Sequence, residues 1–146
     1  MTLAIRVDWQ SGAVHADRFP IDVGSDGQLG EAIQSLCSPM QILANGVVRY
    51  RMSSKVTFVG HAGECVIDVA EGRLERITIL FDTIRFFDAS ITESKIIRSI
   101  ARSSGLTVAS EHPAFARLEP CAWGRAAFSH DPRQGDLSFE VRFHDD

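Results

Sequence analysis

The stretch from Ile42 to Asp82 constrains the fold of this chain more than any other feature. Short apolar segments alternate there with turn sequences, namely Asn45-Gly46, Gly60-His61-Ala62-Gly63 and Glu71-Gly72. Asn-Gly between two runs of β-branched residues is a strong hairpin signal, because a type I′ turn needs positive φ at both central residues. We therefore expect an antiparallel meander over this stretch.

Two helices are predicted on either side of the meander. Ser25 and Gln28 have the spacing of a capping box, and apolar residues follow at helical spacing, which predicts a helix over about 27–37. Ser90 and Glu93 form a second capping box before another apolar stripe. Gly105 follows at the position of a left-handed C-terminal cap, so we expect a helix over about 91–104.

Alternating apolar and polar residues at the two ends of the sequence predict hairpins. Leu3–Trp9 pairs with Val14–Phe19 in this interpretation, and Trp123–Phe128 pairs with Leu137–Phe143. A loop region surrounding a short strand at 106–109 is expected before the second hairpin. The order of elements predicts a single α+β domain over residues 1–146, with an antiparallel sheet and helices on one face.

Composition and charge narrow the functional classes. The formal net charge of −4 argues against binding to nucleic acid, which needs a cationic surface. No apolar run reaches the roughly 20 residues of a membrane span, and the first residues alternate as in a strand, so we expect a cytoplasmic protein. The bias toward arginine over lysine is typical of a GC-rich bacterial genome. Three widely spaced cysteines, Cys37, Cys65 and Cys121, are expected to be reduced thiols.

The candidate chemical motifs are incomplete. Asp22 to Gly27 resembles the start of a calcium loop, but Ile33 stands where a bidentate glutamate is needed. The segment Gly60–Cys65 holds His, Glu and Cys, yet neighbouring residues on a strand point to opposite faces. We therefore predict no catalytic residues, no metal and no cofactor.

The predicted sheet at Ile42–Asp82, the capped helix at 90–104 and the acidic balance together resemble the immunity proteins of bacterial polymorphic-toxin and contact-dependent inhibition systems. The resemblance implies a non-catalytic protein that neutralises a toxin domain by direct binding, often with an acidic surface against a basic cleft. The expected partner is thus a toxin domain. Exposed acids and an aromatic pair are the predicted contact residues: Asp136, Glu140, Asp145, Asp146, Phe86 and Phe87.

Two other roles stay open at this stage. The chain could bind a small ligand, or act as a minor enzyme, through a pocket between sheet and helices that holds Tyr50, His61 or Cys121. It could also form a homo-oligomer through an uncovered edge or face of the sheet.

Overall fold

Strands make up most of the chain in a computed structural model that describes residues 2–82, 93–112, 115–118, 120–131 and 136–143. The strands are β1 (Leu3–Val7), β2 (Val14–Ala16), β3 (Phe19–Pro20), β4 (Gln41–Ile42), β5 (Val48–Arg51), β6 (Val56–Phe58), β7 (His61–Ala70), β8 (Arg73–Phe81), β9 (Val108–His112), β10 (Phe115–Leu118), β11 (Gly124–Asp131) and β12 (Asp136–Phe143). The helices within this part of the chain are α1 (Glu31–Gln34) and α2 (Glu93–Ser104). The α+β class is therefore confirmed, with sheet predominating.

The strands form one open, mixed sheet in the order β3-β2-β1-β6-β7-β8-β12-β11-β10-β9, with β4 attached to β5. Strands β1 and β6 are parallel, and the other described pairs are antiparallel. The purely antiparallel sheet predicted from the sequence is thus wrong in this respect. A parallel pair needs a long crossover connection, and the segment between β1 and β6 is long enough and includes α1.

Strand β7 organises the middle of the sheet. Strands β5 and β6 lie end to end along one edge of β7, whereas β8 pairs along the other edge. Between β5 and β6 the chain breaks at Met52, which forms an isolated bridge with Cys37. The region predicted as a simple meander therefore contains a strand in two pieces.

Alternation along the strands separates two faces of the sheet. The inner face carries the apolar core, to which β7 contributes Cys65 and Ile67 and β12 contributes Phe139 and Val141. Ile33 of α1 and Ile100 of α2 are buried in the same cluster, so both helices pack on the inner face. The opposite side of the central strands, here called the outer face, carries most of their charged residues.

Aromatic contacts show that the sheet curls around this core. The rings of Phe58 on β6 and Phe139 on β12 lie 5.0 Å apart, although a flat sheet would separate these strands by about 14 Å. Trp9 lies 6.0 Å from Trp123, and the Trp123 Nε1–H group donates a hydrogen bond of 2.8 Å to the Trp9 carbonyl oxygen. The curl thus brings the two ends of the described chain together.

The first predicted helix differs most from the structure. Helix α1 has four residues and begins at Glu31, not near residue 27, and its Gly30 N-cap has no side-chain hydrogen bond. The Asp26 Oδ1 atom accepts a hydrogen bond from the Gln28 amide, and Gly27 has a φ of +75°. A turn therefore forms where the capping box was expected, since an aspartate side chain competes with helix formation.

The later elements agree better with the sequence prediction. Helix α2 ends at Ser104, and Gly105 has the expected left-handed φ of +70°. The capping box at residues 90–93 lies mostly outside the described residues. Both terminal hairpins are present, as β1 with β2 and β11 with β12. Strand β10, however, occupies a segment that was predicted as loop.

Candidate functional site on the outer face

A line of charged residues crosses five strands on the outer face. Arg49 on β5 lies opposite Asp68 on β7, which in turn lies opposite Arg76 on β8. Arg76 is paired in register with Arg142 on β12, and Arg142 with Arg125 on β11. Residues in direct register project from the same face of a sheet. We call these five residues the arginine row, and at the usual strand spacing they span about 19 Å.

Asp68 is the buried centre of the row. Its side chain is 1% exposed, yet it accepts hydrogen bonds from two arginines. Arg49 binds it through both oxygens, from Nε to Oδ1 at 2.8 Å and from Nη2 to Oδ2 at 3.0 Å. Arg76 donates to Oδ2 from Nε at 3.1 Å and from Nη2 at 2.7 Å. Such paired bonds hold both guanidinium groups in fixed positions.

The ionisation of Asp68 reflects two opposing effects. Burial disfavours the charged carboxylate, whereas the hydrogen bonds and positive charges of Arg49 and Arg76 favour it. The arginines prevail, so the pKa of Asp68 lies below its usual value. The hydrogen bond to Asp68 likewise raises the pKa of Arg49, against a smaller opposing effect of burial. Asp68 is therefore a carboxylate at neutral pH.

Glu140 extends this network toward β12. Its Oε2 atom lies 3.6 Å from Nη1 of Arg76, and its Oε1 atom accepts a hydrogen bond from Nε of Arg142. Glu140 is half-buried on the same face. Arg76 thus contacts two acids, and the ion pairs continue from β5 to β12.

Further charges lie around the row. Glu64 of β7 lies 4.0 Å from both Arg51 and Lys55, and all three side chains are about half exposed. Arg117 of β10 also projects outward, because its register partner Ala127 lies between the buried residues of β11. Cations outnumber acids on the described part of this face, although the chain carries a net charge of −4.

The predicted contact residues are placed unevenly. Glu140 lies on the outer face within the ion-pair network, in contact with arginines. Asp136 begins strand β12. Four others, Phe86, Phe87, Asp145 and Asp146, lie outside the described residues.

The residues suggested for a ligand pocket do not converge. Tyr50 pairs with Ile67 and is buried on the inner face, whereas His61 pairs with Phe58 at the far end of β7. Six residues along a strand separate these positions by about 20 Å. His61 instead contacts the ring of Phe81, and Cys121 forms a bridge with Gly124 at the start of β11. An open depression of about 400 Å³ lies elsewhere, along residues 24–34.

The other candidate chemistry is weak in the described residues. No group of three or more His, Cys, Asp or Glu side chains there is arranged to hold a metal ion. Burial raises the pKa of all three thiols, that of Cys37 to about 11, which suppresses the reactive thiolate. No helix in the described ranges is both long and apolar enough to cross a membrane.

Sequence reasoning missed the arginine row because its members are far apart in the chain. Alternation on β8 and β12 does place Arg76, Glu140 and Arg142 on the polar face. Their arrangement in one line, however, depends on the register of strands separated by tens of residues.

Comparison of the chain with family models, with curated proteins and with solved structures finds no match.

Proposed function

We propose that this chain is a non-catalytic protein-binding module, and that it acts as an immunity protein that neutralises a bacterial toxin domain by direct binding. The observation that carries the proposal is the arginine row: charged side chains held by a buried acid on an outer face that the described helices do not cover. Arginine is enriched in protein interfaces, where its planar group forms several hydrogen bonds at once.

Rigidity supports a role in recognition. Arg49 and Arg76 are already fixed by Asp68, and each is only partly exposed. Ordering a flexible side chain on binding costs about 0.5–1.5 kcal/mol, so a pre-ordered arginine loses less free energy when a partner docks. Five neighbouring strands also provide a broad, continuous surface for a protein partner.

The contact surface we propose differs in charge from the one that the immunity-protein resemblance implies. Glu140 and Glu64 on the outer face already lie near arginines or lysine. We therefore place the contact on the arginine row, with Glu140 as a member of its network. Complementary charge at such a surface would speed association with the partner.

A co-expression experiment tests this function. Each protein encoded beside the gene for this chain is expressed alone and together with the chain in a bacterial host. The proposal expects one neighbour to arrest growth alone, growth to return on co-expression, and the two proteins to copurify at equal stoichiometry. The absence of any growth-arresting neighbour, or rescue without a complex, would overturn it.

Matched variants connect the function to the surface. Replacing Arg142 and Arg125 with alanine removes two outer-face charges, whereas Arg102→Ala removes an exposed charge from helix α2. We expect the double variant to lose rescue and Arg102→Ala to retain it. A ligand screen by thermal shift provides the contrasting test, since a strong rise with a metabolite and no protein partner would favour the small-ligand role.

A further inference from the structure

The arginine row places like charges next to one another. Arg76, Arg142 and Arg125 are direct cross-strand neighbours on three adjacent strands. Like charges in such positions destabilise a sheet. Asp68 and Glu140 offset part of this repulsion, but they are two acids among four arginines. An anion placed over Arg142 and Arg125 would lower the free energy of the face.

The surroundings of the row indicate which kind of anion fits. Guanidinium groups bind both carboxylates and phosphates with paired hydrogen bonds. Single-stranded nucleic acids, however, are held largely by stacking of their bases on aromatic side chains. The outer-face positions beside the row carry aliphatic or hydroxyl side chains instead, namely Thr78, Leu80, Ala127 and Ser138. The net charge of −4 also repels a polyanion at long range.

We infer that the arginine row binds the carboxylate side chains of an acidic protein surface. This inference rests on the proposed function and names the chemistry of its partner. Arg142 and Arg125 are the expected carboxylate-binding pair, with Arg49 and Arg76 fixed behind them by Asp68. The partner's contact surface is then rich in Asp and Glu and not in phosphate.

A titration with defined probes tests the inference. Fluorescence anisotropy compares a labelled peptide of ten glutamates with a labelled single-stranded oligonucleotide of ten thymidines. We expect the peptide to bind more tightly, with an affinity that falls as salt rises. The double variant R142A/R125A should weaken peptide binding about tenfold or more, and Arg102→Ala should change it less than about twofold.

Lysine variants separate shape from charge. Arg142→Lys together with Arg125→Lys keeps both charges but removes the paired donors. We expect clear weakening of peptide binding, with unchanged thermal stability as the check on folding. Equal binding by the alanine variant, tighter binding of the oligonucleotide, or no binding of the peptide would each overturn the inference. If growth rescue persists in any of these cases, the binding function stands and the partner's chemistry is what failed.

Discussion

Arg49 grips Asp68 with two parallel hydrogen bonds, from Nε to Oδ1 at 2.8 Å and from Nη2 to Oδ2 at 3.0 Å, across the antiparallel pair β5 and β7. Arg76 reaches the same carboxylate from β8 on the other side. One buried acid therefore links three strands. The same contact also fixes the guanidinium groups that we propose for recognition, so stability and binding share Asp68.

Replacement of Asp68 by asparagine is expected to destabilise the fold. The variant leaves Arg49 and Arg76 facing a neutral amide in a site where the aspartate is 1% exposed. Removing one member of a buried ion pair costs several kcal/mol, so we expect a loss of about 3 kcal/mol in the free energy of unfolding. Urea denaturation measures it. Glu31→Gln, which removes an exposed acid from α1, is the control and should cost less than about 1 kcal/mol.

The stabilisation by Asp68 should depend on pH. Because the folded-state pKa of Asp68 is lowered, its contribution is fully present above the unfolded-state value of about 3.9 and is lost as pH falls through the folded value. The difference in unfolding free energy between wild type and D68N should thus be constant from about pH 6 to 8 and shrink below about pH 4. Urea titrations across this range measure the difference. A difference that grows with acid would contradict the assignment.

Two glycines offer a matched test of the contact between the chain ends. Gly12 and Gly46 have similar φ angles of +81° and +83°. A Cβ at Gly12 would lie 2.6 Å from the Trp123 ring, whereas one at Gly46 would meet nothing within 4 Å. Gly46→Ala should cost about 1 kcal/mol of unfolding free energy from backbone strain alone. Gly12→Ala should cost about 1–3 kcal/mol more, because it overpacks the ring.

The result for this pair is read from chemical denaturation followed by tryptophan fluorescence. Equal losses for the two alanine variants would show that Trp123 does not pack on Gly12. Since Trp123 also bonds the Trp9 carbonyl, a changed emission spectrum in the folded Gly12→Ala protein is a second expected sign.

The thiols should react slowly in the folded protein. With a pKa of about 11, Cys37 is about 0.1% thiolate at pH 8, and its labelling rate should rise about tenfold per pH unit below that value. Cys65 is buried, with a pKa raised by burial and by nearby Cys37, so it should label only on unfolding. Mass spectrometry after timed alkylation, with and without urea, identifies each site. Fast labelling of Cys65 in native buffer would contradict its burial.

The sequence predicted the elements that depend on local patterns. Strict alternation in β8 and β12 was sufficient to identify their faces, and Gly105 marked the end of α2. Local signals misled where short-range bonds competed. The Asp26 side chain and the left-handed Gly27 replaced a helical first turn with a tight turn. Strand β10 went unrecognised because only four residues of it lie between breaks in the pattern.

Non-local pairing accounts for the remaining differences. The parallel contact of β1 with β6 joins residues about fifty positions apart, and nothing in either segment specifies the partner. The same holds for the arginine row, because Arg49 and Arg125 share a line through three intervening strands. The prediction of surface acids identified Glu140 but not the arginines beside it.

The hydrogen bond from Trp123 to the Trp9 carbonyl, which spans 114 positions, has a consequence for how the chain reaches its fold. Contacts between distant residues slow folding, because a long loop must close before they form. On the ribosome, the first strands would wait for β11 and β12 before their aromatic residues are covered. During that interval the exposed edges and rings are open to association with other chains, so chaperone demand and aggregation in synthesis follow from the same curl that closes the finished core.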